Sequence, residues 1–109
     1  MLSRANRLSL KTDRFRLEKE GKTLSSSLFT LVVVHRESPS LPTRFAILIS
    51  KKLLRLSTDR HQLKRQLTEI LRLNLDKLPS GLDILLIPKR NLLTATSEQI
   101  ISDIKRLCS

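Results

Sequence analysis

Hydrolysis by protein side chains needs a base within hydrogen-bonding reach of the proton it takes, and the 109-residue chain offers two histidines for that role. His61 lies in the stretch "STDRHQLKRQLTEILRL", Ser57 to Leu73, whose apolar spacing is helical, with Asp59 and Glu69 as the nearby acids. Eight residues, more than two helical turns, separate His61 from Glu69, and Asp59 leaves the axis on another side, so neither can share a proton transfer with it. His35 falls in an extended stretch with no acid nearby but Glu37. The chain has no zinc-ligand spacing, no glycine-rich phosphate loop and no aromatic base-stacking strand. No residue is therefore assigned to catalysis or to a metal. What remains is charge.

On a helical projection of Ser57–Leu73, Leu63, Leu67, Ile70 and Leu71 fall within an arc of about 100° and form the core face. His61, Arg65, Thr68 and Arg72 line up on the far side, and Lys64 lies along the edge between that stripe and the core face. Arg60 points nearer the core, but from the first turn it can reach past the end of the packed layer. Gln62, Gln66, Asp59 and Glu69 gather on the other flank, which leaves the stripe without an acid. Lys51, Lys52 and Arg55 extend the basic side from the connection before it. An ordinary solvated face mixes signs and gains from i,i+4 pairs. A membrane-surface face wants aromatic or bulky apolar residues at its rim, and none are present. A one-signed stripe suits a phosphate backbone, read by shape and charge more than by base sequence.

The whole chain agrees. Twenty-one Lys and Arg face ten Asp and Glu, a net charge of +11 and a pI near 10.9. Residues 1–22 carry +4 of this and residues 51–72 carry +5. Self-repulsion at that level works against folding, so so uneven a distribution points to a polyanionic partner, nucleic acid. The length fits one domain, residues 1–109, with a core that must be aliphatic because there are three Phe and no Trp or Tyr. No run approaches the ~20 apolar residues of a membrane helix. Cys108, the one cysteine, cannot make an internal disulfide, which fits a reducing, cytoplasmic setting. The acid-free start "MLSRANRLSLKT" imitates a transit peptide, but is assigned below to the domain.

These residues need positioning elements. "KTDRFRLEKEGK" reads as a first helix, with Thr12 or Asp13 as cap and Gly21 as a left-handed C′ residue. "SLFTLVVVHR", Ser27–Arg36, is β-branched and reads as a strand. The prolines of "ESPSLPT" exclude a helix there, and a connection this short suits an antiparallel pair with the next strand, Arg44–Ser50. In that strand Phe45, Ile47 and Ile49 point one way and Ala46 and Leu48 the other, so both faces are covered. The basic helix follows, capped by Ser57 or Thr58, then a tight turn at Pro79–Gly81 and a strand over 83–87. A last helix is capped by Thr96 or Ser97 and buries Ile100, Ile101, Ile104 and Leu107. The fold class is an α/β (α+β) two-layer sandwich, α-β-β-(β)-α-β-α, with a short additional strand near Thr23–Ser25 and helices largely on one side of the sheet.

In order along the chain, five pieces resemble the bacterial ribonuclease P protein component: "NRL" at 6–8, "GK" at 21–22 after a short basic helix, "RFAILISKK" at 44–52, "RHQLKRQLTE" at 60–69 and "LDILLIPK" at 82–89. The fourth matches the family pattern RNxxKRxxRE with Arg60, Lys64, Arg65 and Glu69 in register. On this resemblance the chain is identified as a divergent member. His61 replaces the pattern's Asn and Thr68 its second Arg, Phe15 stands one position late with Glu18 where a second aromatic would fall, Val32 replaces a common strand aromatic, and Ala46 replaces a glycine.

The resemblance implies a fold like the second domain of ribosomal protein S5, with a left-handed β-α-β crossover that breaks the usual right-handed rule. It implies a protein subunit of ribonuclease P, pairing with a catalytic RNA that removes the 5′ leader of precursor tRNA. The RNA and the Mg²⁺ it holds would carry out the hydrolysis, with no metal bound by the protein alone and no obligate protein partner. Arg60, His61, Lys64 and Arg65, with Lys51, Lys52, Arg55, Thr68 and Arg72, would contact the RNA subunit. A cleft between the first helix and the sheet would hold the leader, with Phe15, Phe29, Arg7 and Lys11 as its residues. Threonine brings no charge and histidine a conditional one, so docking is expected to be looser or differently distributed than in a typical member. The alternative is a ribosomal-type or generic structured-RNA-binding protein with no role in tRNA processing.

Overall fold

The structure, a computed structural model, describes residues 4–108, except for the side chains of residues 10–12. Three helices, α1 (Leu10–Glu20), α2 (Ser57–Leu73) and α3 (Ser97–Cys108), pack on four strands, β1 (Lys22–Ser25), β2 (Phe29–His35), β3 (Arg44–Ile47) and β4 (Leu82–Pro88). The sheet order is β1-β2-β4-β3. β1 and β2 pair antiparallel, as do β2 and β4, while β3 and β4 run parallel and are joined through α2. The short strand expected at 23–25 is β1.

Two expectations about the sheet need correction. β2 and β3 are not neighbours, because β4 lies between them. β4 is almost wholly buried along "LDILLIP", and a strand apolar on both faces belongs in the interior of a sheet rather than at its edge. The connection from β2 to β3 therefore crosses the start of β4, where Ser80 Oγ donates to the Pro39 carbonyl at 2.8 Å and Gly81 N to that of Leu41 at 2.8 Å. Gly81 has φ +78°, and a Cβ there would lie 2.6 Å from Pro39 Cα, so this turn requires glycine. The helices also divide between the two faces of the sheet: α2 and α3 cover one, α1 the other.

Strand alternation sorts the core accordingly. Phe29, Leu31, Phe45, Ile47, Ile84 and Leu86 meet Leu63, Leu67 and Leu71 of α2 and Ile100, Ile101 and Ile104 of α3. On the opposite face Val34, Ala46 and Leu85 meet Leu17 of α1 and Leu8, with Val32, Leu48 and Ile87 half-buried around them. Both faces of β3 are covered, as its sequence implied.

The helix ends differ from expectation in detail. α1 begins at Leu10 with Ser9 at its N-cap, and Gly21 closes it with φ −71° rather than a left-handed turn. Glycine is needed there for space, since a Cβ would collide with the Leu17 carbonyl oxygen and with Val32. α2 has Leu56 at its N-cap position and no side-chain cap. α3 has the expected cap as a reciprocal pair: Gln99 N donates to Thr96 Oγ1 at 3.2 Å and Thr96 N to Gln99 Oε1 at 2.9 Å.

Candidate nucleic-acid interface

β3 is an edge strand, and its outer side is occupied by the N-terminal segment. Asn6 Nδ2 donates to the Thr43 carbonyl at 2.9 Å, Leu8 N to that of Phe45 at 2.9 Å, and Arg7 forms a parallel bridge with Phe45. Between this segment and α2 runs a groove of about 740 Å³ lined by Arg7, Leu8, Phe45, Ala46, Ile47, His61, Lys64, Arg65, Thr68 and Glu69. Four of the residues expected to contact an RNA subunit, His61, Lys64, Arg65 and Thr68, thus share one wall of it. Lys51, Lys52 and Arg55 are exposed on the connection that leads into α2.

Two members of the expected set are engaged locally. Arg60 turns back, its Nη1 donating to the carbonyls of Leu54 at 2.9 Å and Arg55 at 2.8 Å, so it fastens the loop before α2. Arg72 pairs with Glu69, its Nε lying 3.1 Å from Glu69 Oε2. That hydrogen bond holds the Glu69 carboxyl well below the usual range, down to about 2. Glu69 also corrects the helical projection: it lines the basic groove instead of standing apart from it, so the groove does contain an acid.

The residues expected for a leader cleft do not come together. Phe29 is fully buried in the core beneath α2 and α3, on the other side of the sheet from α1, and offers no surface to a bound strand. This corrects its assignment; an aromatic in a chain with only three is most valuable inside. Arg7 belongs to the groove beside α2. The Lys11 side chain lies outside the described residues. Phe15 is 73% exposed on α1, with Lys19 Nζ 5.6 Å from its ring centroid. On the α1 face of the sheet Val32, Leu48 and Ile87 are half-buried around Leu17 and leave a partly open apolar surface.

One cluster was not foreseen. Asp83 is fully buried on that same face and is ringed by three arginines. Arg44 holds it in a fork, Nε to Oδ1 and Nη2 to Oδ2, both at 2.7 Å. Arg16 Nη2 reaches Oδ2 from α1, and Arg36 Nε stands 3.9 Å from Oδ1. Burial alone would raise the Asp83 carboxyl, but the hydrogen bonds from Arg44 and Arg16 outweigh it and hold it below its ordinary value. The Arg44 guanidinium is raised in turn by its hydrogen bonds to Asp83. The sequence did carry a signal, an acid inside the apolar run "LDILLIP", since a buried charge must find partners.

Among the described residues no three His, Cys, Asp or Glu side chains converge as metal ligands, and no helix is long and apolar enough to cross a membrane. Burial pushes the Cys108 thiol up to about 11.

A family model described as Ribonuclease P matches residues 2–109. The ribonuclease P protein component of Finegoldia magna is 36% identical over 90 residues, which span 83% of this chain and 76% of that protein. Its counterpart in Thermotoga maritima is 37% identical over 90 residues, spanning 83% and 74%. The solved structure of the ribonuclease P protein from Thermotoga maritima superposes with a TM-score of 0.78 at 29% identity, covering 92% of this chain and 96% of that one. The chain belongs to the ribonuclease P protein component family.

Proposed function

We propose that this chain, as the protein subunit of the endoribonuclease ribonuclease P, docks on the catalytic RNA through the groove beside α2 and receives the 5′ leader of precursor tRNA on the α1 face of the sheet. It assists Mg²⁺-dependent removal of that leader in the cytoplasm. The Mg²⁺ ions are held mainly by the RNA, which carries the hydrolysis. The protein's share is binding and placement, because no histidine here has an acid partner suited to proton transfer.

The observation that carries this reading is the groove itself. Arg7, Lys64 and Arg65 converge from two separate segments on one concavity, and Lys51, Lys52 and Arg55 continue the positive charge along its approach. Such a surface attracts phosphates regardless of base sequence, and the groove runs between α2 and the N-terminal segment held along β3. Arg60 and Arg72 contribute less than their places in the expected contact set imply, being bound to backbone and to Glu69.

Reconstitution with a cognate catalytic RNA tests it. Adding the protein should raise precursor-tRNA cleavage at low Mg²⁺, with an RNA affinity that falls with salt at a log–log slope of roughly −0.7 to −0.9 per phosphate contact. Lys64→Glu and Arg65→Glu should each weaken RNA binding by about 1–3 kcal/mol. No stimulation of cleavage together with tight ribosome association would overturn the reading in favour of a ribosomal-type role, and cleavage by the highly purified protein without RNA would overturn it in favour of a protein nuclease.

A further inference from the structure

Over its described side chains, residues 13–20, α1 is thinly attached. Of its described side chains only Leu17 is buried; Arg14, Phe15, Glu18, Lys19 and Glu20 are exposed, and Asp13 and Arg16 are half-buried. Over residues 13–20 a single buried apolar side chain does not by itself fix both the tilt and the rotation of the helix. The second described attachment is polar: Arg16, the residue before Leu17, reaches down to the buried carboxylate of Asp83 in the centre of the sheet. Asp13, one turn earlier, lies 3.6 Å from the same guanidinium. Asp83 cannot follow if α1 moves, because Arg44 grips it in a fork and the β4 backbone pairs on both sides.

We propose that Asp83 is a positioning residue: through Arg16 it holds α1, and with it Phe15, at a set place over the sheet and so fixes the shape of the cleft that takes the leader. This rests on the reading that the α1 face binds the leader. The alternative role for the cluster is direct, with the arginines themselves contacting phosphates and Asp83 merely diluting their charge. The two roles predict opposite signs. Removing the Asp83 charge leaves all three guanidiniums in place and adds one positive charge, which strengthens anion binding on Coulombic grounds. If Asp83 positions α1, the same change weakens leader binding despite the added charge.

The test measures affinity of the reconstituted holoenzyme for leader-bearing precursor tRNA and for leaderless tRNA, alongside hydrogen exchange of the free protein. Asp83→Asn should cut the preference for leader-bearing substrate by about tenfold, the scale of a lost charged hydrogen bond, and accelerate amide exchange in residues 13–20 but not in α2. Arg16→Gln should do the same while leaving the Arg44–Asp83 fork intact. Arg14→Gln, an equal charge loss at an exposed residue paired with Glu18, should change neither. An unchanged or stronger leader preference in Asp83→Asn, with α1 protection unaltered, overturns the proposal. If Asp83→Asn does not fold, Arg16→Gln against Arg14→Gln decides: equal behaviour of those two overturns it. If the wild-type holoenzyme shows no leader preference, the leader-cleft reading fails, and α1 exchange in Arg16→Gln still decides whether the tether exists.

Discussion

The two faces of the sheet are assembled by different means. Beneath α2 and α3 the described residues include sixteen buried apolar side chains in one cluster; beneath α1 there are five. The smaller cluster is supplemented by a buried carboxylate and its three arginines, which the larger one lacks. Burial of apolar surface is strong, non-directional and independent of protonation state. Ion pairs are directional, respond to pH and salt, and leave net stability small after desolvation is met. The larger face is thus suited to stability, and the smaller one to placing a thinly attached helix at a defined angle.

The sharpest way to break this comparison is to delete one buried group from each face. Phe29→Ala should cost about 3–5 kcal/mol in denaturant unfolding, as large-to-small core changes do. A cost below about 1 kcal/mol would mean the main core is not where the packing places it. Asp83→Asn should cost less, about 1–3 kcal/mol, because Arg16 and Arg44 keep some contact with water. The two should also differ in pH dependence. The Asp83 carboxyl lies below its ordinary 3.8 in the folded protein. Its contribution is therefore present above that value and lost as pH falls through the lower, folded one. The acid-dependent part of wild-type stability should persist in Phe29→Ala and shrink in Asp83→Asn, a contrast readable from urea melts between about pH 2 and 6.

How far the sequence could foresee these faces follows from the range of each signal. Helical periodicity places Leu63, Leu67 and Leu71 inward, and alternation sorts Phe45 and Ile47 from Ala46, because both are local. Strand order is not local. The short link between β2 and β3 favoured pairing them, yet the apolar character of β4 on both faces was decisive. The groove was half legible: the stripe of α2 was visible, but that Arg7 would face it depends on the N-terminal segment lying along the β3 edge. The projection sets Arg72 in the stripe and Glu69 on the flank beside it, and side chains three residues apart reach each other across that angle. The Asp83 cluster draws on four elements or their flanks, and periodicity could not assemble it.

Phe15 sharpens the comparison from the other side, since it resembles Phe29 in kind and differs from it in place. Phe15→Ala should leave unfolding free energy within about 0.5 kcal/mol of wild type, as exposed substitutions do. It should still lower the holoenzyme's preference for leader-bearing substrate. A loss of stability comparable with that of Phe29→Ala would show α1 packed far more deeply than its 73% exposed phenylalanine implies.

The smallest effect expected is at Glu69. Among the described residues it is the one acid lining the groove, and its pairing occupies Arg72 on the same helix. Glu69→Gln removes a charge that repels phosphate and releases a guanidinium that attracts it. Both changes act at the groove and neither touches α1. RNA-subunit affinity should rise, by roughly two- to threefold at low salt, and the gain should fade as salt screens the surface. The preference for leader-bearing over leaderless substrate should stay where it is. A change in that preference would mean the two surfaces are coupled through the sheet, and the division between a docking side and a cleft side would have to be given up.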